Sequence, residues 1–309
     1  MASSDLLVRF WGVRGSYPVP GAKTMKVGGN TSCVDVQSRI HRIILDCGTG
    51  IIKLGEHILA EHHKQHPNGT APLQLSILLS HTHHDHIQGL PFFQPAYKPY
   101  ASLYIFGPQL LGVDLRESIS ETMTARYCPV RLEELNAHKV IENMANNDRL
   151  LFQNNSKVPQ LYSERHELPK LKKDDLLVKV MRSYAHPKDG VFVYRIENNG
   201  CSVVYATDTE GYQSGDARLI KFAQGANLLI HDSQYTNEEY TTGNPTKQGF
   251  GHSTVEMACE VATKAKVKQL VLFHHDPDHD DGQMVEMEKR AKSQFKESQA
   301  AREGLEISI

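Results

Sequence analysis

The sequence predicts an α/β fold in which sheets are covered by helices, and three observations carry that expectation. Short apolar runs closed by glycine, asparagine or proline recur along the chain, as buried strands do. Other stretches place apolar residues three and four apart, the spacing of a helix with one buried stripe. The two kinds are mixed along the chain, which favours sheet and helix layers around a shared core.

Leu6 to Trp11 reads as the first strand and Val13 to Pro18 as a loop. Val34-Asp35-Val36 alternates, and Ile43-Ile44-Leu45 is a short core strand. Ile51 to His62 reads as a helix, Leu73 to Leu79 as a core strand, and Leu103 to Phe106 as a strand closed by Gly107-Pro108. Residues 109–126 follow as a helix. The polar stretch 127–175 is less regular and is expected to form an insertion or a lid. Leu177 to Tyr184 and Val191 to Glu197 alternate like paired strands. Asn198-Asn199-Gly200 then turns the chain into Ser202 to Ala206, because Asn and Gly tolerate positive φ. Leu228 to Ile230 and Leu270 to Phe273 are further core strands. Residues 254–266 place Val255, Ala258, Cys259, Ala262 and Ala265 on one helical stripe, and 283–303 reads as a polar surface helix.

With 309 residues, 39% hydrophobic and 23% charged, the chain fits one large globular domain spanning 1–309. Its longest apolar runs fall far short of the roughly 20 residues that cross a bilayer. Met1 to Asp5 lacks a secretory pattern, so a cytoplasmic protein is expected. Five scattered cysteines without CxxC pairing argue against a disulfide framework and against cysteine-held zinc. A net charge of −2 lacks the basic excess common in proteins that grip long nucleic acids. The unusual number is seventeen histidines, since histidine is the commonest metal ligand.

Six consecutive residues, His81-Thr82-His83-His84-Asp85-His86, follow a core strand directly. In an extended segment, residues two apart project to the same side, so His81 and His83 can reach one ion. Asp85 and His86, just past the turn, can reach a second. Nitrogen and oxygen donors at this density suit a borderline divalent metal. Similar endings recur downstream. One strand ends at Asp208, another at His231-Asp232, another at His274-His275, and His186 closes the strand before Pro187. Several such endings suggest one rim of a sheet where functional loops are gathered.

This pattern resembles the metallo-β-lactamase superfamily, and within it the tRNA 3′-processing ribonucleases and small cyclic-phosphate phosphodiesterases. The resemblance extends to Gly12-Val13-Arg14-Gly15-Ser16, Gly28-Gly29-Asn30-Thr31-Ser32-Cys33, Leu45-Asp46-Cys47-Gly48-Thr49-Gly50 and Gly251-His252-Ser253-Thr254. It implies an αββα sandwich and two divalent ions, zinc or manganese. His81, His83 and His186 would hold the first, and Asp85, His86 and His274 the second. Asp208 would bridge them, with His275 as the competing choice for His274. Asp46 would brace the histidine loop.

Two cations about 3.5–4 Å apart could clamp an attacking hydroxide and stabilise charge on the phosphoryl oxygens. Asp85 could also orient the nucleophile, His252 could protonate the leaving oxygen, and Asp232 could orient or charge His252. Ser253 to Glu256 reads as a capping box that places His252 before the positive end of a helix. Asn30, Thr31 and Ser253 are candidate phosphate contacts. The run His275 to Asp281 reads as a solvated loop.

The expected activity is a phosphodiesterase for a small 3′,5′-cyclic nucleotide or related cyclic phosphate. The alternatives are a tRNA 3′-end endoribonuclease, a lactonase and a non-catalytic nucleotide-binding protein. The ribonucleases carry a Gly/Pro-rich arm that is not evident here. A small phosphodiester partner, no membrane, a homodimer and, as the lesser alternative, a nucleic-acid substrate complete the expectations.

Overall fold

A computed structural model describes residues 5–67, 69, 71–212 and 214–309. The first half of the chain forms β1 (Leu7–Gly12), β2 (Cys33–Gln37), β3 (Arg42–Leu45), α1 (Gly50–Gln65) and β4 (Leu73–Leu78). It continues with α2 (His84–Ile87), β5 (Ala101–Pro108), α3 (Leu115–Thr122) and β6 (His138–Met144). The second half forms β7 (Arg149–Phe152), β8 (Gln160–Tyr162), β9 (Leu176–Ser183), β10 (Val191–Asn198), β11 (Cys201–Ala206) and α4 (Ala217–Phe222). It ends with β12 (Leu228–Asp232), α5 (Asn237–Thr242), α6 (Val255–Lys264), β13 (Gln269–Phe273), α7 (Asp281–Gln294), β14 (Ser298–Ala300) and β15 (Glu306–Ser308).

The strands form two sheets. One runs β15-β1-β2-β3-β4-β5-β6, and the other β14-β13-β12-β11-β10-β9-β7-β8. Side chains on a strand alternate faces, and β3 to β5 divide their residues accordingly. Ile43, Leu45, Leu78, Tyr104 and Phe106 enter the core that faces the second sheet. Ile44, Leu75, Ile77, Leu103 and Ile105 enter a separate core under α1 and α3. On the far side α6 lays Val255, Ala258, Cys259 and Ala262 against the second sheet. The result is a helix–sheet–sheet–helix sandwich, the architecture expected.

The Asn199-Gly200 hairpin is present, with φ of 48° and 85° at the two turn residues. Four sequence expectations need correction. The helix expected over 109–126 covers only Leu115–Thr122, capped by Asp114, whose carboxylate accepts the Arg116 N–H. The helix expected over 283–303 stops at Gln294, and Ser298–Ala300 instead pairs in parallel with β13. The cap of α6 is Thr254, whose hydroxyl accepts the Met257 N–H. Ser253 cannot cap because its amide goes to Asp232 and its hydroxyl to the Thr209 carbonyl. Finally, His275, Pro277 and His279 are buried, so 275–281 is not a solvated loop. Residues 127–175 supply β6 at the edge of one sheet and the β7–β8 hairpin at the edge of the other.

Arg14 is the reason the 275–281 loop turns inward. It is fully buried. Its Nε donates to the Gly28 carbonyl at 2.8 Å, and its Nη1 to the carbonyls of Asp276 at 2.9 Å and His279 at 2.7 Å. One side chain thus ties three distant segments together. Replacing it with leucine would remove the side-chain donor from the Gly28 and His279 carbonyls and leave Asp276 with only the His279 amide. Arg14→Leu is expected to destabilise the protein by about 3 kcal/mol, on the scale of lost buried partners, measured by urea unfolding.

Candidate metal centre

The C-terminal ends of the strands meet at one rim. Asp46 follows β3, His81 to His86 follow β4, Asp208 follows β11, Asp232 closes β12 and His274 follows β13. His186 lies three residues past β9. Asp46, Asp208 and His274 have φ of 62°, 51° and 59°. Such conformations cost non-glycine residues roughly 1–3 kcal/mol and are held only where surroundings over-determine them. Here they turn each side chain sharply off its strand and into the rim.

Two donor groups result, with one carboxylate between them. His81, His83 and His186 converge, with His186 Nε2 3.0 Å from His83 Nδ1. Asp85, His86 and His274 converge, with His274 Nε2 3.2 Å from Asp85 Oδ2 and 3.3 Å from His86 Nε2. Asp208 stands between them. Its Oδ1 lies 3.8 Å from both His81 Nε2 and His186 Nε2. Its Oδ2 lies 3.2 Å from His86 Nε2 and 3.3 Å from His274 Nε2. Each oxygen therefore faces a different group. The competing His275 is turned away, with its Nε2 3.0 Å from the Ala301 carbonyl.

This donor set fits divalent cations. His81 Nε2 is buried without a hydrogen-bond partner. Burial pushes the imidazoles of His81, His83 and His186 below their usual range. They are thereby kept neutral, the form that ligates metal. Burial opposes a charged His86 too, but Asp85, Asp208 and Asp46 outweigh it and push His86 well up. Burial would raise Asp85 and Asp208, yet neighbouring histidines hold both well below the carboxylate range. An environment that binds a proton so strongly at His86 suits a cation equally well.

A second layer holds the rings. Asp46 accepts the Ser80 amide at 2.7 Å, the Ser80 hydroxyl at 2.8 Å and the Tyr205 hydroxyl at 2.7 Å. His86 Nδ1 lies 2.8 Å from the same carboxylate. The Ser16 amide donates to Asp85 Oδ2 at 2.7 Å. A side chain at Gly15 would collide with the His274 ring.

His252 Nδ1 lies 2.7 Å from Asp232 Oδ2, and the ring stacks on His274 at 4.9 Å. Burial would lower its pKa, but Asp232, then Asp208 and Asp85, push it up to about 9. It also falls within ligand distance of His186 and Asp208, so it borders the cluster directly. The Asp232 carboxylate further accepts the amides of Asp208, Ser253 and Gln234.

The three candidate phosphate contacts have internal partners instead. The Asn30 amides donate to Glu303, the Thr31 amide to Thr49 Oγ1, and both Ser253 donors are engaged as described. Sequence reasoning missed Gln234, whose Oε1 lies 3.0 Å from His274 Nδ1, and the Gly251 carbonyl, 3.0 Å from His186 Nδ1. Gln234 could have been found as the polar residue just past the His231-Asp232 strand end. A main-chain partner such as Gly251 leaves no such mark.

The chain matches the Beta-lactamase superfamily domain over residues 41–275. It is 27% identical to Ribonuclease Z of Picrophilus torridus over 99% of this chain and 97% of that protein. Its fold is similar to that of the metallo-beta-lactamase fold protein YhfI from Bacillus subtilis, with a TM-score of 0.67 at 20% identity, covering 99% and 100% of the two chains. It is also similar to that of human tRNase Z, short form, with a TM-score of 0.62 at 21% identity, covering 98% and 99%.

The Asp46 network generates a prediction. Asp46→Asn removes the negative charge beside the His86 ring and leaves one acceptor oxygen for the four donors that the carboxylate now serves. Zinc affinity, measured by competition with a chromogenic chelator, is expected to fall about 10–100-fold, the usual cost of losing a ligand's outer partner.

Proposed function

Because the chain belongs to the beta-lactamase superfamily, we propose that it is a metal-dependent phosphodiester hydrolase whose substrate is an RNA 3′-end phosphodiester. One observation carries the chemistry: a His252–Asp232 pair, with Nδ1 2.7 Å from Oδ2, borders the histidine–aspartate cluster. An alkoxide leaving group needs a proton, and this pair can supply one beside the reacting phosphorus. The choice of RNA is supported by relatives named Ribonuclease Z that match nearly end to end. Those relatives favour the tRNA 3′-processing alternative over the cyclic nucleotide expected first. The cyclic nucleotide remains the second reading, favoured by the net charge of −2 and by a 127–175 segment folded onto the sheet edges.

His81, His83 and His186 would hold one cation, Asp85, His86 and His274 the other, with Asp208 shared. When bound, zinc or manganese ions supply Lewis acidity toward a phosphoryl oxygen and lower the pKa of water. The remaining work belongs to the chain. Asp85, kept ionised by His86 and His274 and oriented by the Ser16 amide, can accept a hydrogen bond from the attacking water. Asp232 holds Nδ1 of His252, which leaves Nε2 to release a proton to the leaving oxygen. The five cysteines are free, which suits the reducing cytoplasm in which this reading sets the enzyme.

Cleavage of a precursor tRNA, cyclic AMP and a lactone by metal-loaded protein tests the reading. Turnover of the RNA is expected, turnover of cyclic AMP alone would select the second reading, and turnover of the lactone alone would refute both. His252→Ala should lower kcat by about 10²–10⁴-fold while metal content stays unchanged. A general acid must be protonated, so activity should fall as pH rises through about 9. Asp232→Asn removes the charge that raises this pKa, so the alkaline limb should move to lower pH.

A further inference from the structure

Beside the cluster lies a cleft of about 400 Å³ that the reaction chemistry leaves unused. The β9–β10 loop contributes Tyr184, His186, Pro187 and Lys188 to it, and the segment after β11 contributes Glu210 and Tyr212. Tyr184 is 64% exposed and Tyr212 is 52% exposed, whereas tyrosine is ordinarily intermediate in burial. His186 joins the cleft to the metal centre. It lines the cleft, and its Nε2 lies 3.0 Å from His83 Nδ1.

Hydrogen bonds to one carboxylate tie the far wall together. The Glu210 carboxylate accepts the Tyr240 hydroxyl at 2.6 Å and the amides of Gly249 at 2.7 Å and Gly251 at 2.9 Å. Gly251 in turn meets His186 through its carbonyl. Its φ is 89°, and a side chain there would strike the His186 ring. The cleft and the metal centre are therefore positioned by the same turn.

Two exposed aromatic rings, a proline and a lysine next to a phosphodiester-cleaving centre have the character of a nucleoside subsite. Bases stack on aromatic faces whatever their identity, and a lysine neutralises phosphate. We propose that this cleft seats the nucleobase adjoining the scissile phosphodiester, stacked against Tyr184 and Tyr212, with Lys188 facing a flanking phosphate. The proposal rests on the phosphodiesterase reading and adds the part of the substrate that the chain recognises.

Two p-nitrophenyl phosphodiesters sharing a leaving group separate recognition from chemistry: the thymidine 5′-ester carries a base, and the methyl ester does not. Metal-loaded full-length protein is assayed on both, and its affinity for AMP is measured by calorimetry. In Tyr184→Ala and Tyr212→Ala the preference in kcat/KM for the thymidine ester should fall about tenfold, and AMP affinity should fall in parallel. Tyr184→Phe should retain both. An unchanged preference with unchanged AMP affinity would overturn the proposal. So would dissociation of an oligomer by the alanine variants on gel filtration, which would mark the tyrosines as a subunit contact. Should the wild type cleave neither ester and leave precursor tRNA and cyclic AMP intact as well, the phosphodiesterase reading fails. Tyrosine-dependent AMP binding would then still support the cleft, and tyrosine-independent binding would overturn it.

Discussion

A carboxylate buried among imidazoles is the interaction on which this fold turns. Asp208 is 2% exposed, and its two oxygens face two different sets of histidines. A buried carboxylate is costly unless it is matched by positive charge. Histidines 86 and 274 provide that match on one side, and His81 and His186 face the other oxygen. Of the strands that end at this rim, β4 and β13 deliver the histidines that keep Asp208 ionised: His81 and His86 from one, His274 from the other.

The sandwich can hold such a charged rim because its cores lie elsewhere. The apolar contacts run between the sheets and under the helices, while the polar groups collect where the strands stop. Left-handed backbone at Asp46, Asp208 and His274 opposes folding locally. It persists because long-range partners fix each of them. The Ser80 and Tyr205 hydroxyls hold Asp46, the Asp232 carboxylate accepts the Asp208 amide, and Gln234 holds His274. Arg14 works in the same way on the loop that follows His274.

The strand-end histidines and aspartates were legible because they stand next to apolar runs that declare themselves by composition. The Asn199-Gly200 hairpin was legible because its chemistry is local. What the sequence hid is tertiary. Tyr205 and Asp46 meet across 159 positions, and nothing in either neighbourhood signals the other. β14 and β15 have three residues each, too few to show an alternation, and exist only because β13 and β1 offer free edges. The cap of α6 shifted by one residue because Asp232 and Thr209, distant in sequence, claim Ser253 first.

The protonation pattern of the rim narrows its chemistry further. His81, His83 and His186 are pushed down by burial and have no proton to release near neutral pH. His86 is pushed up, but it is fully buried, with Asp46 on one ring nitrogen and Asp85 and Asp208 on the other. Its proton has no path to a substrate. His252 is also pushed up, yet Asp232 engages only its Nδ1, and the residue is 8% exposed. Among these five histidines it alone combines a proton with access. Expulsion of an alkoxide is the step that such a residue serves.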